Sequence, residues 1–282
     1  MLKPLFRSVV LPRLFLTALS LAALATASTP ALSHEFWIEP EKYQVKSDDS
    51  LQAGLRNGQM FKGARLPYFA ERIVRFDTVQ DGIITPYQGR MGDMPALVLE
   101  GLQPGLLIAL HETTTDLITY ETWQAFADFS NHQGFQDVQA RHQQRDLPEH
   151  GFGERYSRHT KLLVSVDHGA GADRAFGLET ELVALQNPYT LPASTGPAPA
   201  RIQILLLYQG KPRPLAQVEI FERAPDGSVQ SERLLTDNMG VLQLSVRSEH
   251  SYLLNAVVLR PLMGDPEAVW QTLWASLVFA LP

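Results

Sequence analysis

The spacing of the apolar residues constrains the fold most strongly. Short segments either alternate apolar and polar side chains, as Val241–Val246 does, or are apolar throughout. Turn-forming residues separate these segments, and the 19 glycines and 19 prolines are spread along the chain. Such frequent interruption leaves little room for long helices, so the pattern predicts a mostly β protein built from many short strands.

The first part of the chain is expected to be a β-rich N-terminal domain over residues 34–187. One stretch of it departs from the strand pattern. Trp123, Phe126 and Ser130 fall at helical spacing. The sequence therefore predicts a helical insertion around residues 120–146.

Residues 188–199 are rich in proline, which indicates a linker between two domains. Beyond it, residues 200–282 alternate regularly, and turns such as Asp226-Gly227 lie between the alternating segments. Short strands at this spacing predict a C-terminal immunoglobulin-like β-sandwich.

Residues 1–33 have the three parts of a cleavable signal peptide. Basic residues come first, the apolar stretch Phe15–Ala27 follows, and small residues precede His34. Cleavage there would place His34 at the mature N-terminus, whereas cleavage after Ala27 would leave Ser28 in that place. We expect a periplasmic protein with no transmembrane segment once the signal peptide is removed.

The composition excludes several kinds of site and partner. The chain has no cysteine, which excludes disulfides, thiolate zinc sites, iron–sulfur clusters and a cysteine nucleophile. Its formal net charge is −6, and an acidic surface repels phosphate backbones. Nucleic acid is therefore not an expected partner.

Two histidines are the candidate metal ligands. A histidine at a free N-terminus offers its α-amine and its ring to one ion, which makes His34 the first candidate. His111, beside Glu112 at a predicted strand end, could add a third nitrogen. Such nitrogen ligands suit the divalent ions of nickel, cobalt, copper or zinc, and no other cofactor is expected.

Other conspicuous residues favour a structural interpretation. Four further histidines have spacings that match no compact metal motif and are expected to face solvent: His132, His142, His150 and His159. The four tryptophans are expected to anchor the core: Trp37, Trp123, Trp270 and Trp274. The chain has no nucleophile elbow, phosphate loop or H-E-x-x-H motif, so we assign no catalytic residue and predict no enzyme activity.

Three stretches together resemble one family. They are the start His34–Pro40 (HEFWIEP), the segment Glu154–Arg158 leading into Lys161–Val164, and the ending around Trp270 and Trp274–Pro282. The chain resembles the DUF4198 family, exported bacterial proteins related to periplasmic components of nickel and cobalt uptake systems. The C-terminal part also resembles sandwich modules of the carboxypeptidase-regulatory type, through Gly210–Pro212 and Thr236–Gly240.

The resemblance implies a periplasmic binding or accessory protein for a transition-metal cation, assisting a membrane transporter. The sequence also leaves open a non-enzymatic interaction module that binds a protein or a sugar of the cell envelope. A third possibility is a copper enzyme that acts on polysaccharide through an N-terminal histidine. Loss of metal binding on changing His34 would favour the first hypothesis.

Overall fold

The computed structural model describes residues 35–192 and 199–282. Its helices are α1 (Trp123–His132) and α2 (Val138–Gln144). The strands are, in chain order, β1 (Glu35–Pro40), β2 (Gln44–Val45), β3 (Leu51–Gln59), β4 (Lys62–Leu66), β5 (Ile73–Gln80), β6 (Ile83–Pro86), β7 (Leu97–Leu99), β8 (Gly105–Thr113), β9 (Asp116–Tyr120), β10 (Phe152–Val166), β11 (Thr180–Ala184), β12 (Ala200–Tyr208), β13 (Lys211–Pro212), β14 (Gln217–Arg223), β15 (Val229–Leu235), β16 (Val241–Val246), β17 (Ser251–Pro261) and β18 (Trp270–Ala280).

The strands form three sheets. A ten-stranded central sheet has the order β15-β14-β17-β18-β10-β8-β5-β6, and β2 and β9 pair with β10. A four-stranded N-terminal sheet joins β1, β3, β4 and β7, and a second four-stranded sheet joins β11, β12, β13 and β16. The fold is therefore mostly β, as the sequence predicts.

The two faces of the central sheet pack against different partners. Successive side chains of a strand point to opposite faces. On β10, Leu162 and Val164 share a core with the N-terminal sheet, while Leu163 between them belongs to the core shared with β12 and β16. The central sheet is thus covered on both sides, which explains why its long strands are buried almost throughout.

The predicted C-terminal β-sandwich is confirmed. Strands β14, β17 and β18 face β12 and β16 across one apolar core, and strictly alternating β16 contributes Leu242, Leu244 and Val246 to it. Each buried side chain of this kind stabilises the fold by about 1.5–3 kcal/mol. The same strands also complete the central sheet.

The helical insertion is confirmed as well. Helix α1 begins after Thr122, whose hydroxyl accepts a hydrogen bond of 3.4 Å from the backbone N–H of Ala125. Phe126 and Phe129 of α1 pack on the aromatic end of β18, where Trp270 and Trp274 are buried. The insertion therefore covers the end of the sheet face that the N-terminal sheet leaves open.

The central sheet continues across the predicted linker. Residues 154–162 of β10 pair in parallel with residues 270–278 of β18, so strands from both predicted domains are neighbours. The division of the chain at 188–199 stays a prediction, and residues 193–198 of that linker lie outside the described residues. In the part of the chain that is described, no helix is both long and apolar enough to cross a membrane.

Candidate metal-binding site at the N-terminal strand

His111 lies on β8, on the face of the central sheet that β1 covers. Its side chain is 1% exposed and lies between the rings of Phe36 and Phe76, with centroids 5.2 and 4.9 Å away. Neither ring nitrogen has a hydrogen-bond partner among the described residues. Burial lowers the pKa of His111 to about 3, so the imidazole is neutral at physiological pH. A neutral imidazole is the form that binds metal.

A row of buried polar residues crosses the same face beside β1. Glu219, Asn255, Ser276 and Thr160 lie opposite one another on β14, β17, β18 and β10. The hydroxyl oxygens of Ser276 and Thr160 lie 2.7 and 3.2 Å from the backbone carbonyl oxygen of Phe36. We call these four residues the polar row, and its hydroxyl groups hold the first described residues in place.

Glu35 lies at the Glu219 end of the polar row. It is buried, and its Oε2 atom has no hydrogen-bond partner among the described residues. Burial, reinforced by the negative charge of Glu219, raises the pKa of Glu35 to about 7. His132 at the end of α1 and Arg233 on β15 bind Glu219 at 3.0 and 3.3 Å. The first residue of β1 is therefore close to several titratable groups.

A cavity of about 520 Å³ opens next to His111. Phe36, Leu55, Phe69 and Ile73 are among its apolar lining residues. Its polar lining includes His111, Asn57, Thr113, Thr114, Thr115, Asp116, Tyr156 and Arg158. The cavity therefore combines the neutral imidazole of His111 with charged and apolar walls, beside β1.

The structure places only one of the two predicted metal ligands. His34 and the alternative first residue Ser28 lie outside the described residues. Within residues 35–192 and 199–282, no three His, Cys, Asp or Glu side chains are grouped so that they could hold a metal ion. A metal site that includes His111 would therefore need a further ligand, and the sequence predicts His34 for that role.

The prediction that the four other histidines face solvent is wrong for two of them. His142 is buried in the aromatic core, where its Nδ1 accepts a 3.0 Å hydrogen bond from the indole of Trp270. His159 is buried on the opposite face from His111, with Ser157 Oγ 3.2 Å from its Nε2. Of the other two, His150 is exposed, and His132 is half-buried where it binds Glu219. The burial of each histidine depends on contacts with residues distant in sequence, and the spacing of the histidines does not show these contacts.

Glu154 on β10 is, like Glu35 on β1, a buried carboxylate with a raised pKa. The hydroxyls of Tyr120 and Thr272 donate hydrogen bonds to it, yet burial raises the pKa of Glu154 to about 7 from an ordinary value of 4.5. Between these two pH values the folded protein keeps a proton that the unfolded chain has released. The contribution of this group to stability is therefore lost as pH rises through that window.

Glu154→Gln is expected to weaken this pH dependence. At pH 8 the variant should be more stable than the parent by up to about 3 kcal/mol, and near pH 5 the two should differ little. Urea unfolding at both pH values measures the effect, with exposed Glu149→Gln as the control. An equal difference at pH 5 and pH 8 would contradict the raised pKa.

Several solved structures resemble this chain at low sequence identity. They include a tetra-tandem repeat in the extending region of a large adhesion protein (11% identity, TM-score 0.22, 89% of this chain and 50% of that chain). The D0-D1 domain of intimin (12%, 0.22, 87% and 97%) and a DUF3823 protein from Bacteroides uniformis (10%, 0.22, 88% and 100%) are similar cases. This chain spans about half the length of the adhesion-protein structure. These resemblances are too distant to indicate a function.

No curated protein matches the chain. A family profile does match it over residues 31–260, which include β1, β8, β10 and the polar residue Asn255. The profile carries the description "Domain of unknown function" and states no activity. The match covers most of the sequence and confirms the resemblance seen in the sequence motifs: the chain belongs to the DUF4198 family.

Proposed function

We propose that the mature protein binds a divalent transition-metal ion at its N-terminus and serves as a periplasmic binding or accessory protein for metal uptake. The metal is nickel, cobalt, copper or zinc, and it is cargo for a membrane transporter. In this proposal His34 supplies its α-amine and its imidazole, and His111 supplies a third nitrogen.

The unpaired imidazole of His111 is the observation that carries the proposal. Leaving a buried polar group without a hydrogen bond costs about 1–3 kcal/mol, and among the described residues His111 alone has two buried side-chain atoms in this state. Both ring nitrogens of His111 lack a partner among the described residues, and its low pKa keeps the ring neutral. Imidazole in this state is a strong ligand for the later first-row divalent ions.

The position of β1 supports His34 as the partner of His111. The ring of Phe36 contacts the ring of His111, and both residues line the same cavity. His34 precedes Phe36 by two residues in the sequence. The hydroxyls of Thr160 and Ser276 in the polar row fix the backbone carbonyl of Phe36.

Metal titration of the mature protein tests the proposal, once intact mass has shown that the chain begins at His34. His34→Ala should weaken binding of copper(II) or nickel(II) at least about tenfold, since it removes the chelating ring. Exposed His168→Ala is the matched control and should leave the affinity unchanged.

Equal affinities for the parent and His34→Ala would remove His34 from the site. Absence of any binding above that of scattered surface histidines would contradict the metal-binding function itself. The alternative of a cell-envelope interaction module would then become the working hypothesis, and a protein or sugar partner that survives chelator treatment would be its test.

A further inference from the structure

We infer that Lys161 and Asp173 join spontaneously in a side-chain amide bond, with Glu181 carrying the proton that the reaction must move. Such a bond is a covalent modification of the folded chain and is independent of the proposed metal-binding function. The nucleophile, the electrophile and the proton carrier lie together in the core, between β10 and β11.

The amine nitrogen of Lys161 lies in front of the carboxyl group of Asp173. Its Nζ atom is 3.0 Å from Oδ1 and 3.2 Å from Oδ2. Because the nitrogen is almost equally far from both oxygens, it faces the carbon atom that joins them. Glu181 Oε1 lies 2.8 Å from the same nitrogen. The folded chain therefore holds the reacting groups side by side, which removes most of the entropic cost of their reaction.

The three side chains are shielded from water. Their exposed fractions are 1% for Lys161, 0% for Asp173 and 1% for Glu181, and the ring of Phe176 has its centroid 5.2 Å from Lys161 Nζ. Charged groups are costly to keep in such a place, and burial raises the pKa of Asp173. A proton that passes from Lys161 to Asp173 gives the neutral amine and the neutral acid that amide formation requires.

Backbone N–H groups hold both carboxylates in position. The N–H of Arg174 donates to Asp173 Oδ1 and the N–H of Ala184 donates to Oδ2, each at 2.8 Å. These donors can stabilise the negative charge that develops on an oxygen of Asp173 when its carbon is attacked. Glu181 accepts hydrogen bonds from the N–H groups of residues 176–178, which fix its place beside the amine.

The reaction balances without a cofactor or an oxidant. Lys161 gives one ammonium proton to Asp173, and its nitrogen lone pair then attacks the Cγ atom of Asp173 to form a C–N bond. Glu181 accepts a second proton from that nitrogen and passes it to the hydroxyl group on Cγ. The C–O bond breaks, one water leaves, and a neutral amide remains, so Glu181 returns to its starting state.

The product ties β10 to the segment that leads into β11. It closes a ring of the chain from residue 161 to residue 173, and a closed ring restricts the unfolded chain, which stabilises the fold. The chain has no cysteine, so a disulfide cannot supply this constraint.

Digestion of the denatured, full mature protein with trypsin tests the inference, because trypsin cleaves after arginine and unmodified lysine. Without the bond, residues 159–161 and 162–174 are released as separate peptides. With the bond, residues 159–174 stay one peptide, about 18 Da lighter than its sequence requires, because one water has left. Its fragment spectrum should contain no ions from cleavage within the ring 161–173.

Three variants provide the controls. Lys161→Arg removes the nucleophile and keeps the positive charge, so this variant should have its full calculated mass. Lys211→Arg changes an exposed lysine on β13 and should keep the lighter peptide. Glu181→Gln removes the proton carrier and should slow formation of the bond at least about a hundredfold. The parent digest decides the outcome even if a variant fails to fold.

Two results would overturn the inference. One is a parent digest in which residues 159–161 and 162–174 appear only as separate peptides of full mass. The other is the same mass loss in peptide 162–174 with Lys161 cleaved, since that product is an aspartate dehydrated onto its own backbone. Equal rates of bond formation in the parent and Glu181→Gln would overturn the role of Glu181.

Discussion

Replacing Lys161 by methionine is expected to lower the free energy of unfolding by about 3–5 kcal/mol. The Lys161 ammonium is buried, 3.0 Å from Asp173 Oδ1 and 2.8 Å from Glu181 Oε1. Its removal leaves two carboxylates buried without a compensating charge. These carboxylates also hold the segment between β10 and β11, since Glu181 accepts hydrogen bonds from backbone N–H groups of residues 176–178.

Unfolding in guanidinium chloride at pH 8 and pH 5 measures this effect. The loss should be smaller at pH 5, because burial raises the pKa of Asp173 and protonation of that carboxyl removes part of the uncompensated charge. Lys211→Met is the control, as Lys211 is exposed on β13 and should change stability by less than about 0.5 kcal/mol. Similar losses for the two variants would show that the buried ion pairs do not support this part of the fold.

His111→Leu is the second change with a large expected effect, and stability and metal binding should respond differently. Leucine fills the space between Phe36 and Phe76 and removes two ring nitrogens that have no partner among the described residues. The free energy of unfolding without metal should stay the same or rise by about 1–2 kcal/mol. Metal affinity should fall at least about tenfold.

His159→Leu is the matched control for His111→Leu. His159 is also buried, but it lies on the opposite face of the central sheet, 3.2 Å from Ser157 Oγ and 3.6 Å from Glu112 Oε1. Losing these contacts should cost about 1 kcal/mol of stability, with metal affinity unchanged. A loss of several kcal/mol in His111→Leu would instead show that its imidazole is a structural group.

Local pattern predicts much of the fold. Strand β16 alternates strictly, and the helical spacing of Trp123 and Phe126 locates α1. The tryptophan prediction is confirmed for Trp37, Trp270 and Trp274, which are fully buried, while Trp123 is half-buried against the aromatic core. These features are local, so a short window of sequence contains the information that decides them.

The first half of β10 shows where local pattern fails. Strand β10 begins at Phe152, ahead of the apolar run that starts at Leu162. Glu154, Arg155 and Arg158 give this half the look of an exposed loop. It becomes a strand because it pairs with β18 and because Tyr120, Thr272 and Asp265 supply partners for the charges. Such distant pairing is invisible in one sequence.

The candidate site could be predicted only in part. His111 stands out by its residue type, but its burial without a partner depends on β1 and β5 packing around it. The polar row needs four strands to align. Its one local signal is that Asn255 and Ser276 each interrupt a segment that is otherwise apolar on both faces.

The most direct test of the account is the affinity of the mature protein for copper(II) or nickel(II), measured in parallel for the parent, His111→Leu and His159→Leu. The account predicts a loss of at least about tenfold in His111→Leu alone, with its stability preserved. Equal metal affinity in the parent and a stably folded His111→Leu would contradict the claim that His111 is held unpaired in order to bind metal.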